Sequence, residues 1–132
     1  IVEIANESAE AKVRKWRAIA LESIKQCASP WLPKIEAPRP FSNALPLVKE
    51  GRSFVASLHQ GARDIGTLKL RSNAATLWIG PEGDFTPAEV KTLVAAGALP
   101  FTLGPLVLRC DTAAISSLAI LGHLMRTVGT CQ

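Results

Sequence analysis

Cysteine is scarce and badly spaced for metal: Cys27, Cys110 and Cys131 are an odd set with no CxxC pair, so the sequence offers no zinc pattern and no disulfide framework. His59 and His123 have no partner spacing that would make them metal ligands. The longest apolar run, around residues 113–125, falls short of the ~20 residues that span a bilayer and contains His123. No secretory signal is visible. Neither GxGxxG nor GxxxxGK[ST] occurs, which argues against a dinucleotide-binding oxidoreductase and a P-loop enzyme. There is no internal repeat. These absences point to a reduced, cytoplasmic chain that does without metal or membrane.

What is present suits a single globular domain. The chain has 132 residues, 48% of them hydrophobic and 20% charged, enough for a core without disulfide or metal support. Its net charge of +4 fits either an acidic partner such as RNA or a mildly basic solvated surface. The first residue is not Met, and "IVEI" reads as a strand already under way.

Periodicity predicts an α/β succession. After a short strand at 1–5, residues 8–27 form a helix capped by Ser8, with Val13, Trp16, Ile19, Ala20 and Ile24 on one face. "SPWLPKIEAPRP" is a proline-rich connector. One short helix is expected over 38–50, with Phe41, Leu45 and Val48 inward. "SFVASL" (53–58), "ATLWIG" (75–80) and "LPFTLG" (99–104) read as strands, with "HQGARDIG" as a loop. Thr86-Pro87-Ala88-Glu89 is a capping box with proline at the first helical position, and Gly97 ends that helix. A last helix runs over 111–128 and is apolar on more than one face, so part of it is expected to be covered by a second copy of the chain. Trp16, Trp31 and Trp78 are scattered and are expected in the core, not on a base-stacking platform.

Two strand ends carry glycine, Gly80–Gly83 and Gly104. In an open parallel sheet, ligands sit beyond the carboxyl ends of the strands. Glycine there permits positive φ or a close approach of backbone to ligand. Ordinary strand-to-helix turns would read the same way.

"IGPEGDFTPAEV" followed by "LGPLVLRCDTAAISSLAIL" resembles the RsmE-type ribosomal RNA methyltransferases of the SPOUT superfamily, whose motifs are GPEGG-F-[ST]-x-x-E and LGxRILRxETA. "KQCASPWLPKI" is also similar to that family's connector. The resemblance implies an α/β fold: a SPOUT-like parallel sheet flanked by helices, with a deep C-terminal trefoil knot. It implies S-adenosylmethionine (SAM) as cofactor and ring nitrogen 3 of a uridine in 16S ribosomal RNA, in the small ribosomal subunit, as acceptor. It implies a homodimer. Residues 1–132 would be the methyltransferase domain, N-terminally incomplete and without the family's PUA-like RNA-binding domain.

Carried onto this sequence, the motifs assign Ile79, Gly80, Pro81, Glu82 and Gly83 to one cofactor loop and Leu103, Gly104, Leu106 and Leu108 to the other, with Leu58 as a candidate floor. Arg109 would hold the uridine or its phosphate. Asp111 would cap the last helix or act at the substrate, and Thr112 would support either role. Asp84 stands where the family has Gly, Leu106 and Ser29 where it has Arg, and Cys110 where it has Thr. Lys12, Arg14, Lys15 and Arg17 would compensate for the lost arginines or form a solvated face. A non-catalytic knotted dimer that binds RNA or cofactor is the alternative reading.

Overall fold

The structure is a computed structural model and describes residues 6–58, 61–68, 70 and 74–128. The strand expected at 1–5, His59 and Cys131 lie outside these. The chain divides into two compact units, 1–41 and 42–132.

The first unit is the helix α1, Asn6–Gln26, and the extended connector after it. The helix starts two residues before Ser8, so Ser8 lies in its first turn and not at the cap. Ala28 adopts φ 52° past its end, and Ser29 N–H bonds back to the Ile24 carbonyl. Of the expected apolar face Val13 is buried, but Trp16 and Ile19 are 40% and 55% exposed and Trp31, on the connector, is 81% exposed. Trp16 and Trp31 are therefore not core residues. One helix and a proline-rich strap give large side chains little to pack against. Arg17 Nη2 donates to the Ile35 carbonyl at 3.0 Å and ties the strap to the helix.

The expected helix over 38–50 is broken in two: α2, Phe41–Ala44, and a 3-10 turn, Leu45–Lys49. Pro46 is the cause, because it lacks an N–H and its ring clashes with the preceding turn of an α-helix. Of the three residues expected inward, Val48 alone is buried and Phe41 and Leu45 are half-buried.

The second unit holds a parallel four-stranded sheet: β1 Arg52–Ala56, β2 Arg63–Asp64, β3 Ala75–Trp78 and β4 Leu99–Thr102, in the order β2-β4-β1-β3. β2 falls inside the expected loop, and two residues are too few to leave a pattern. Pro100 is tolerated in β4 because β2 pairs only from Phe101 onward, so the missing N–H falls beside the end of β2. β1 is central and buried, and alternation sends Phe54 and Val55 to opposite faces. On one face Phe54, Ile65, Phe101 and Leu121 form a core with Leu124 and Met125 of α4, Cys110–Val128. On the other, Val90 and Leu93 of α3, Pro87–Ala96, are buried, and α3 packs on the 3-10 turn that carries Val48.

α3 is delimited as its sequence predicts. Thr86 Oγ1 accepts from the Glu89 N–H at 3.3 Å, and the Glu89 carboxylate accepts from the Thr86 N–H at 2.8 Å. At the far end Gly97, at φ 114°, donates to the Val94 carbonyl while Ala98 N–H reaches Leu93, the Schellman arrangement.

Candidate cofactor pocket

Because β1, β3 and β4 run parallel, their carboxyl ends lie on one edge of the sheet. The segments leaving that edge enclose a cavity of about 480 Å³, within the ~300–1,000 Å³ range of small-molecule sites. β1 contributes Ala56, Ser57 and Leu58, and the loop after β3 contributes Ile79, Gly80, Pro81, Glu82 and Asp84. β4 and the connection after it contribute Phe101, Thr102, Leu103, Leu106, Val107, Leu108 and Arg109, and α4 contributes Cys110, Asp111 and Ala113.

The structure thus gathers most residues singled out in the sequence: Leu58, Ile79, Gly80, Pro81, Glu82, Leu103, Leu106, Leu108, Arg109 and Asp111 all line one space. Gly83, Gly104 and Thr112 lie beside it without lining it. Of the additional wall residues, Asp84, Val107, Cys110 and Ala113 lie within the quoted motifs; for Ala56, Ser57, Phe101 and Thr102 the only signal was the end of an apolar strand.

The glycines work differently from one another. Asp84 N–H donates to the Pro81 carbonyl at 2.8 Å, closing a turn over Glu82 and Gly83. The positive φ of this loop, 58°, falls on Asp84 and on neither glycine. Aspartate tolerates that region because its short side chain bonds locally, and Oδ1 accepts from the Phe85 N–H at 2.7 Å. Gly80 is needed for closeness: a Cβ there would meet the Asp84 carboxylate and come within 2.8 Å of the Phe85 nitrogen. Gly104 does carry positive φ, 119°. Thr102 Oγ1 braces it, donating to its carbonyl at 2.9 Å and accepting from its N–H at 3.2 Å.

The rim is charged. Arg109 Nε lies 3.7 Å from Asp111 Oδ1, with the two side chains 86% and 60% exposed. Asp111 sits in the first turn of α4, which begins one residue before it, and Oδ1 accepts from the Thr112 N–H at 2.7 Å. An acid there also suits the positive end of the helix dipole. Cys110 Sγ donates to Glu82 Oε1 at 3.5 Å, joining the two loops across the cavity. Among the described residues no His, Cys, Asp and Glu cluster could hold a metal ion, and no helix is long and apolar enough to cross a membrane.

A parallel α/β sheet with a largely apolar cavity at its carboxyl edge, entered by backbone turns and rimmed by Arg109 and Asp111, defines an α/β domain with a small-molecule pocket. The chain belongs to the RNA methyltransferase domain family, whose model matches residues 1–122. It is 31% identical over 117 residues to ribosomal RNA small subunit methyltransferase E of Mycobacterium bovis, covering 85% of this chain and 45% of that protein. It is 29% identical over 121 residues to the Synechocystis protein of the same name, covering 88% and 40%. The chain therefore spans less than half the length of these relatives. Among solved structures it is similar to ribosomal RNA small subunit methyltransferase E of Neisseria gonorrhoeae bound to S-adenosyl methionine, with TM-score 0.81, 26% identity, and 88% of this chain and 49% of that one covered. A Legionella pneumophila protein solved with the cofactor SAM gives TM-score 0.85 at 29% identity, covering 92% and 50%.

Proposed function

We propose that residues 1–132 form a methyltransferase domain that binds SAM in the 480 Å³ cavity and transfers its methyl group to ribosomal RNA, with ring nitrogen 3 of a uridine in 16S ribosomal RNA as the acceptor. The observation that carries this is the convergence of both sequence motifs on one cavity with Arg109 and Asp111 on its rim. The residues fit the cofactor. Leu103, Leu106 and Leu108 offer an apolar wall to an adenine ring, and the backbone of Gly80–Gly83 and Leu103–Gly104 offers hydrogen bonds to its edge and to the ribose. When bound, SAM supplies an electrophilic methyl group on a sulfonium. The protein's part is to orient and to handle charge. A uridine imide is a good nucleophile only once deprotonated, so a cation beside it lowers the barrier. Arg109 is that cation: exposed, at the rim, and steadied by Asp111, which Thr112 holds in turn through its backbone N–H.

Three further features complete the reading. The deep trefoil knot belongs to it, supported by a sheet in which β4 returns between two earlier strands. A homodimer belongs to it too, supported by Ile115 and Leu118 standing 70% and 62% exposed on α4. So does work on small ribosomal subunits in the cytoplasm.

The test is SAM binding by calorimetry together with methyl incorporation into small ribosomal subunits, the product nucleotide identified by mass spectrometry. Arg109→Ala should cut incorporation by about tenfold or more, the worth of one charged hydrogen bond, while SAM affinity stays within about threefold. Sedimentation of the same sample should give twice the chain mass of 14.1 kDa. An equal loss of affinity and incorporation would move Arg109 to the cofactor. Binding without incorporation would favour the non-catalytic module.

A further inference from the structure

The rim charges do not balance. Arg109 Nε lies 3.7 Å from Asp111 Oδ1, so the charges of these two rim residues sum to zero. Glu82 and Asp84 also line the cavity, and among the described residues neither is paired with a lysine or arginine. Glu82 accepts from the Cys110 thiol, and Asp84 from the Phe85 N–H. Among the described residues the wall therefore carries two carboxylates with no cationic partner. One of them, Asp84, occupies a backbone conformation, φ 58°, that glycine would adopt with less strain. An uncharged acceptor of the Phe85 N–H, such as an amide, would serve the turn as well, so the charge itself is not what the turn requires.

We infer that Asp84 sets the pocket's preference for a cationic ligand over its neutral counterpart: it makes the site favour SAM, whose sulfur is positively charged, over S-adenosylhomocysteine, which carries one positive charge fewer. This rests on the cofactor reading above and adds to it which residue discriminates the spent cofactor from the fresh one. A cavity of 480 Å³ is about 10 Å across, so a wall carboxylate lies within that span of any charge on a ligand that fills it. Asp84 is exposed, and at such separations an exposed charge changes an equilibrium constant by about twofold to fivefold. The neutral ligand experiences no such attraction at its sulfur. The consequence is a site that releases product readily without loosening its hold on the adenosine moiety that both ligands share.

The test is calorimetric titration of the full chain with SAM and with S-adenosylhomocysteine, in the wild type, Asp84→Asn and Asp84→Gly, at low and high salt. Asn keeps the turn, since it tolerates the same φ and still accepts from the Phe85 N–H. Gly keeps the backbone and removes the side chain. Both variants should weaken SAM binding about twofold to fivefold and leave S-adenosylhomocysteine within about 1.5-fold. High salt should narrow the wild-type preference towards that of the variants. If both ligands weaken in step, or the ratio holds in both variants, Asp84 shapes the loop and sets no preference, and the inference is overturned with the cofactor reading intact. If the wild type binds neither ligand, the cofactor reading falls and takes this inference with it.

Discussion

Gly80→Ala is the sharpest perturbation the pocket offers. Gly80 is buried, and its φ is not in the left-handed region, so the substitution tests space alone. The added Cβ would stand 2.8 Å from the Phe85 nitrogen and 2.9 Å from the Asp84 Cα, besides meeting the Asp84 carboxylate. Two of these three atoms are backbone and cannot swing away. Nor can the loop drift freely: it is closed by the Asp84-to-Pro81 hydrogen bond at 2.8 Å and runs into the Thr86 capping box. Relief needs a shift of roughly half an ångström in a pinned turn, which costs about 1–3 kcal/mol by the usual scale of overpacking. For a domain of this size that lowers the melting temperature by on the order of 5–15 °C. Gly83→Ala is the control, with no atom within 4 Å of its Cβ, and should stay within about 0.5 kcal/mol of wild type. Gly104→Ala meets nothing either but is strained at φ 119°, and should fall between the two at roughly 1 kcal/mol. Thermal unfolding followed by circular dichroism gives the order. Gly80→Ala melting with Gly83→Ala would refute the claim that closeness is what position 80 requires.

Ser117 is fully buried in α4, and among the described residues its hydroxyl has no hydrogen-bond partner; Ser117→Ala should raise stability by about 1 kcal/mol, read as a higher urea midpoint at unchanged slope. The Glu89 carboxyl is held below its ordinary 4.5 by the backbone N–H of Thr86 and then by the Thr86 hydroxyl. Its folded-state value is depressed, so its contribution is present above about pH 4.5 and fades as pH falls through the lower folded value. The melting-temperature gap between wild type and Glu89→Gln should therefore close in acid, and a gap that persists at pH 2 would show that the ionised cap is not its source.

What the sequence made legible tracks how local the physics is. Thr86-Pro87-Ala88-Glu89 and Gly97 bound α3 through contacts a few residues apart, so their spacing alone located the helix. The three longer strands were legible as apolar runs, but each ends two residues earlier than its run: β1 at Ala56, β3 at Trp78 and β4 at Thr102. Of the excess residues, Ser57, Leu58, Ile79, Gly80 and Leu103 wall the cavity, a use that composition cannot separate from pairing in a sheet. β2 escaped because Arg63 and Asp64 are exposed and owe their strand state to Phe101 and Thr102, far along the chain. Trp16 and Trp31 misled for the opposite reason. Their size argued for burial, but burial needs neighbours that helical periodicity does not supply.

The pocket adds a subtler case. The motif resemblance placed glycines at 80, 83 and 104 and flagged Asp84 as a departure. In the structure the departure carries the turn. Of the four loop positions Gly80, Glu82, Gly83 and Asp84, the left-handed residue is the aspartate, held by its own bond to Phe85, while Gly80 makes room for it. Gly80 and Asp84 are therefore one device, a missing Cβ facing a carboxylate. A larger residue at 80 is incompatible with Asp84 in its present place, and Asp84 adds a carboxylate to a wall that already holds Glu82. A substitution at one of these two positions has to be read together with the other, because the space at 80 and the charge at 84 are set by the same contact.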